Sequence, residues 1–179
     1  GVVSLGIMGG MTSLMSAMIA SNQDIVSLLL ECGADPFHTT VSGDDALMFA
    51  SIFGRTDNVK FWLDRFPDWD LERRNKVTGS TVLSHAVFFG PRRLELINEL
   101  LNRGESLNYR TDTGGSILTA LCECEDGCPE LLQYVLSQLE ARNLKHQINY
   151  QYRGQTFKWR NIHRLARFLT RYKLTDLGL

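Results

Sequence analysis

A chain of 179 residues, 44% hydrophobic, 9% aromatic and 22% charged, is the size of one globular domain or a short repeat array, with enough apolar material for a core. A formal net charge of −1 argues against a strongly basic nucleic-acid binder and against an acidic disordered chain. Four cysteines, Cys32, Cys122, Cys124 and Cys128, are too few and too unevenly spread for the disulfide framework of a small secreted domain, so a reducing, cytoplasmic setting is expected. The totals conceal an asymmetry: residues 1–140 hold 10 Lys plus Arg against 19 Asp plus Glu, whereas residues 141–179 hold 9 basic residues and Asp176 alone, or about −9 and +8. The chain opens at Gly1 and closes on Asp-Leu-Gly-Leu, and a piece of a larger protein is expected.

Residues 1–23 carry no charged side chain, the first mark of a membrane-spanning helix or a signal peptide. Gly1, Gly6, Gly9 and Gly10 crowd this stretch, Ser4, Thr12, Ser13 and Ser16 interrupt it, and basic flanks are missing, so a repeat reading fits it better. The segment GMTSLMSAMIASNQDIVSLLLECGADP from Gly10 is matched 33 residues later by GDDALMFASIFGRTDNVKFWLDRFPDW from Gly43. GSTVLSHAVFFG from Gly79 and GGSILTALCE from Gly114 continue the series. In register, Leu14, Leu47, Leu83 and Leu118 hold one column, and Ala17, Ala50, Ala86 and Leu121 another.

These residues resemble the ankyrin repeat, whose first helix opens with a motif like T-P-L-H-x-A. The first copy keeps Thr12, Leu14 and Ala17, the Ile25-Val26 and Leu28-Leu29-Leu30 run, and Gly33-Ala34-Asp35 at its close, with Ser13 for the usual Pro and Met15 for the usual His. The second copy ends in Phe66-Pro67-Asp68 and has a longer connection, Leu71 to Thr78. The fourth carries a polar insertion from Glu123 to Pro129, and Ile162 to Ala166 echo the motif again in a partial fifth.

The resemblance implies an all-α fold: an ankyrin-repeat solenoid of stacked helix-turn-helix units with connecting β-hairpin loops, about four to five repeats. One array over residues 1–179 is expected, with repeats near 10–42, 43–78, 79–113, 114–153 and a partial 154–179. One such pair cannot cover its own apolar face. Stacking is expected to bury the leucine column as a core, with alanines letting helices approach and Gly33 and Gly104 turning the chain at helix ends.

Chemistry has few footholds. Cys122-x-Cys124-x-x-x-Cys128 lacks a fourth ligand and the usual Cys-x-x-Cys spacing, so no metal is expected, and Cys32 reads as a small packed residue at a helix end. His38, His85, His146 and His163 are scattered, with His163 in the motif position. Gly6-x-x-Gly9-Gly10 lacks the Lys-Ser/Thr of a phosphate loop, and Asp44-Asp45 and the Glu123/Glu125/Asp126 group read as solvated loop charges. No catalytic constellation, no cofactor and no small-molecule substrate are expected.

What the resemblance implies instead is a protein partner docking on the concave surface of hairpin tips and first helices. Phe53 and Phe89 share one repeat position and are candidate anchors, with packing between repeats the alternative. Trp69, Arg73, Arg74, Tyr109, Arg110, Tyr150 and Tyr152 would form an aromatic and basic rim at the tips. Arg160, Arg164, Arg167 and Arg171 fall on one face of a helix, with Ile162, Leu165, Ala166 and Leu169 on another. That helix is either the start of a fifth repeat or a docking element for an acidic partner, an anionic membrane or nucleic acid. The leading expectation is a non-catalytic protein-interaction scaffold or adaptor, and the next is a regulatory segment attached to an enzyme or channel.

Overall fold

The computed structural model describes residues 9–148 except 21, 89, 92, 113 and 124–128, and all regular structure among them is helical. The chain divides into two compact units, Gly1–Ser106 and Leu107–Leu179. In the first unit the helices come in pairs: α1 (Ser13–Ala20) with α2 (Gln23–Glu31), α3 (Ala46–Ile52) with α4 (Thr56–Arg65), and α5 (Val82–Phe88) with α6 (Leu94–Asn102).

Each first helix starts where a short polar residue can satisfy an amide that the helix itself leaves open. The side chains of Thr12, Asp45 and Thr81 accept from the N–H groups of Met15, Met48 and Ser84 at 3.3, 2.9 and 3.4 Å. At the other end, Gly33 and Gly104 adopt φ of 88° and 101°, which spares the steric cost a Cβ would bring. The next amides then turn back, Ala34 to the Leu29 carbonyl at 2.9 Å and Glu105 to that of Leu100 at 3.1 Å.

Within a pair the two helices pack together, and between pairs α1 packs on α3 and α3 on α5, while α4 packs on α6. Leu14, Leu47 and Leu83 are buried in one column and Ala17, Ala50 and Ala86 in the next, as the repeat register requires. Met15, Met18 and Met48 are fully buried beside them. Cutting any of the three leucines to alanine would cost roughly 2–5 kcal/mol.

The connecting loops close on themselves and are also joined to their neighbours through the backbone. Thr40 N–H bonds to the Asp44 carbonyl and Asn75 N–H to that of Ser80, both at 2.9 Å. Adjacent loops are joined by Val41 N–H to the Gly9 carbonyl at 2.8 Å and Lys76 N–H to the Ser42 carbonyl at 2.7 Å. A ladder needs successive bonds between strands, so the expected β-hairpins are tight turns without a strand among the described residues.

The second unit contains α7 (Ile117–Glu123), α8 (Pro129–Ala141) and a 3-10 turn at Lys145–Gln147. The Ser116 hydroxyl accepts from Thr119 N–H at 3.2 Å, a fourth cap in the register of Thr12, Asp45 and Thr81. Ile117, Ala120 and Leu121 are buried, as are Leu131, Leu132, Val135, Leu136 and Leu139 of α8. Leu118, expected in the buried column, is half-exposed, because the buried face of α7 is centred on Ile117 and Leu121 and leaves Leu118 at its edge. Just past the end of α8, Asn143 with φ of 58° takes the place glycine has in the first unit, and Leu144 N–H returns to the Leu139 carbonyl at 2.7 Å.

Candidate functional site

The largest departure from the sequence expectation is electrostatic. Asp44 and Asp45, read as solvated loop charges, are 3% and 0% exposed. Asp44 accepts from the Ser42 hydroxyl at 2.5 Å, from Asn75 Nδ2 at 3.0 Å and from His85 Nε2 at 2.9 Å. Burial by itself would raise its carboxyl, but these bonds and the nearby imidazole outweigh it and hold the group at about 2. His85 Nδ1 in turn donates to the Thr81 carbonyl at 2.7 Å. Both ring nitrogens thus face oxygen partners, one on each side of the ring.

Asp45 caps α3, with its second oxygen 3.9 Å from Arg73 Nη1. Burial pushes its carboxyl upward against the Met48 amide and Arg73. Glu105, 1% exposed, accepts from Leu83 N–H at 2.8 Å at the start of α5. Burial raises it to about 8, against the pull of Thr81 and Leu83. An Asp–His pair can serve as an acid–base relay, but the outer nitrogen of such a ring must reach a substrate. Here that nitrogen is held by Thr81 and the whole group is sealed from solvent, so the cluster ties the loop of the second helix pair to α5 of the third.

The surface residues chosen from sequence separate into three groups. Phe53, at the C-cap of α3, is 41% exposed and available as an anchor. Trp69 and Tyr109, expected on an aromatic rim, are only 8% and 5% exposed, which corrects their assignment. Trp69 is closed off by a parallel stack with Phe37 (centroids 5.2 Å apart), by the edges of Trp62 and Phe66, and by the Arg73 guanidinium 5.5 Å above its ring. The exposed member of that group is Phe37, which carries no repeat signature. Arg73 is therefore half-buried and engaged, whereas Arg74 is exposed. Arg110, in the second unit, is half-buried and donates to the Tyr109 carbonyl at 2.7 Å. Phe89, Tyr150, Tyr152, Arg160, Arg164, Arg167 and Arg171 lie outside the described residues.

The first helices offer less open surface than the resemblance implies. Ala46 to Ser51 of α3 and Val82 to Val87 of α5 are buried all round, leaving Phe53 with half-buried Ile52 and Phe88 at the helix ends. The loop tips compensate. Val41 and Val77 are 73% and 67% exposed on successive tips, with Arg74 and Lys76 exposed next to Val77. An apolar, β-branched residue in a polar turn is the signal that sequence reading passed over. Cys32, expected to pack, is a free and exposed thiol at the end of α2.

Among the described residues no group of three His, Cys, Asp or Glu side chains could hold a metal, and Cys124 and Cys128 lie outside them. Nor is any described helix long and apolar enough to cross a membrane. A family model of the ankyrin repeat matches residues 9–41, the stretch that folds as α1, α2 and their flanking loops. Ankyrin repeats are in general modules for binding other proteins and are typically non-catalytic. Residues 9–41 of this chain are an ankyrin repeat.

Proposed function

We propose that this chain is a protein-interaction scaffold in which the repeat pattern extends beyond residues 9–41 through the second and third helix pairs, and that a protein partner docks on the loop tips of the first unit. The observation that carries this reading is the pair of exposed valines, Val41 and Val77, on two loops held side by side by the bond from Lys76 N–H to the Ser42 carbonyl. An exposed apolar side chain in a rigid turn loses little conformational freedom when it is covered, and that lowers the cost of association. Arg74 and Lys76 beside it add positive charge that favours an acidic partner surface and speeds encounter. Phe53 at the end of α3 supplies an aromatic anchor of the kind that dominates interface energies.

The test is affinity capture with the full chain beside a Val41→Asp/Val77→Asp variant and a Phe53→Ala variant, each checked for unchanged helical circular dichroism. Loss of the same partner from both variants supports docking over tips and helix ends together. Full retention by the valine variant sinks the tip surface.

A further inference from the structure

The turn closing the third helix pair differs from the turn closing the first in the residue that follows its glycine. After Gly33 and Gly104, both with positive φ, the amides of Ala34 and Glu105 make the same return bond, to the Leu29 and Leu100 carbonyls. The backbone is thus satisfied by alanine, yet the third pair places a carboxyl here, 1% exposed. Its Oε1 accepts from Leu83 N–H at 2.8 Å, and the Thr81 side chain bonds to the same carboxyl, both at the start of α5. A neutral acid or a glutamine can accept from Leu83 as a carboxylate does, so the cap alone leaves the titratable group unexplained.

Burial is the first obstacle to ionising Glu105, and Glu72, in the loop after α4, and Asp45, at the start of α3, add their charges to it. Arg73 and His85 of α5 act on Asp45, the arginine with its Nη1 3.9 Å from Oδ2. Of the three carboxyls, Glu105 and Asp45 are buried and Glu72 is exposed. Glu72 also ties two segments together, accepting at 2.7 Å from the N–H of Ser106, next to Glu105 in the chain. We propose that the Glu105 carboxyl is a proton-operated latch on residues 71–74, at the base of the loop whose tip carries Val77. Neutral, it leaves the Glu72–Ser106 tie closed. Ionised, it repels Glu72, which alone of its two acidic neighbours can turn into water, and the tie opens. Because the carboxyl titrates at about 8, the latch is closed below that value and opens as pH rises through it. Asn75 stays bonded to Asp44 and Lys76 N–H to the Ser42 carbonyl, so the stretch released is the one that holds Arg74. As regulation of docking this rests on the tip surface proposed above, of which Arg74 is a part: a partner should bind a few-fold more weakly with the latch open.

The test is a titration of the full chain between about pH 6 and 10 by carbon-detected NMR, which keeps its signals where amide protons exchange fast. The expected result is a Glu105 carboxyl carbon that titrates at about 8, with the backbone nitrogens of Ser106 and residues 71–74 shifting at the same midpoint. In Glu105→Gln, with unchanged helical circular dichroism, those nitrogens should hold still over the same range. In Glu72→Gln, which keeps an acceptor for Ser106 without the charge, Glu105 should titrate at lower pH. A Glu105 that titrates alone or not at all, nitrogen shifts that persist in Glu105→Gln, or a midpoint indifferent to Glu72→Gln overturns the latch. With the protein captured through the tips, affinity should fall between about pH 7 and 9 for the native chain and not for Glu105→Gln. Equal losses in both overturn the regulation of docking. Retention of that protein by the Val41→Asp/Val77→Asp variant sinks the tip surface, and the regulation with it, while the titration still decides the latch.

Discussion

Between the first and second helix pairs the polar ties run from the start of α4 to the open carbonyls at the end of α1: Arg55 Nε to Ile19 at 2.5 Å and Asn58 Nδ2 to Met18 at 2.8 Å. Between the second and third pairs the ties run through the loops, from Asp44 to His85 and Asn75, with exposed ion pairs Lys60–Glu95 and Arg103–Asp64 on the outer helices. The first junction uses neutral carbonyls that helix geometry leaves open in any case. The second puts a carboxylate and a histidine into the interior, bonded to each other and to Ser42, Asn75 and Thr81. Two junctions that share one apolar register therefore fail differently when they are perturbed.

The largest effect is expected where a buried partner is removed. Asp44→Ala removes the carboxylate that His85 Nε2 and Asn75 Nδ2 bond to and should cost about 3–5 kcal/mol in urea unfolding. A double-mutant cycle with His85→Ala should recover a large coupling energy, whereas additive losses would show that the pair contributes nothing as a pair. Asn58→Ala, at the other junction, removes a neutral hydrogen bond and should cost about 1–3 kcal/mol.

Two buried carboxyls also titrate in opposite directions. Glu105, raised from 4.5 to about 8, contributes stability that is fully present below pH 4.5 and is lost as pH rises through 8. Asp44, lowered from 3.8 to about 2, contributes stability present above pH 3.8 and lost as pH falls through 2. Stability should thus decline between pH 4.5 and 8, by on the order of a few kcal/mol, and Glu105→Gln should flatten that decline while leaving the acid limb in place. An unchanged decline over that range in the variant would remove Glu105 from the account. The smallest effect is expected on the surface: Lys60→Ala breaks a 2.6 Å ion pair between exposed side chains and should leave the unfolding midpoint within error.

The apolar register was legible because it repeats. Leu14, Leu47 and Leu83 recur with alanines three residues on, and one helix pair buried this way implies the next. Capping was half legible: Thr12, Asp45, Thr81 and Ser116 stand in one column, but only their bonds identify it as a column of caps. The buried charges were not legible, since two adjacent aspartates in a glycine-flanked loop read as solvated, and the partners of Asp44 lie 31 and 41 residues away. Trp69 misled for a related reason. Its place in a connection suggested a rim, whereas Phe37 covers it from the preceding loop and Arg73 from its own. Exposure is decided by what folds over a residue, and sequence spacing carries that only inside the repeat.

The claim that a partner docks on the loop tips is tested most directly by hydrogen–deuterium exchange on the full chain, free and saturated with a purified captured protein. Slowed exchange at residues 40–44 and 75–80 and around Phe53 is the predicted result. Slowing confined to α8 or to residues 149–179, with the tips unchanged, would contradict it.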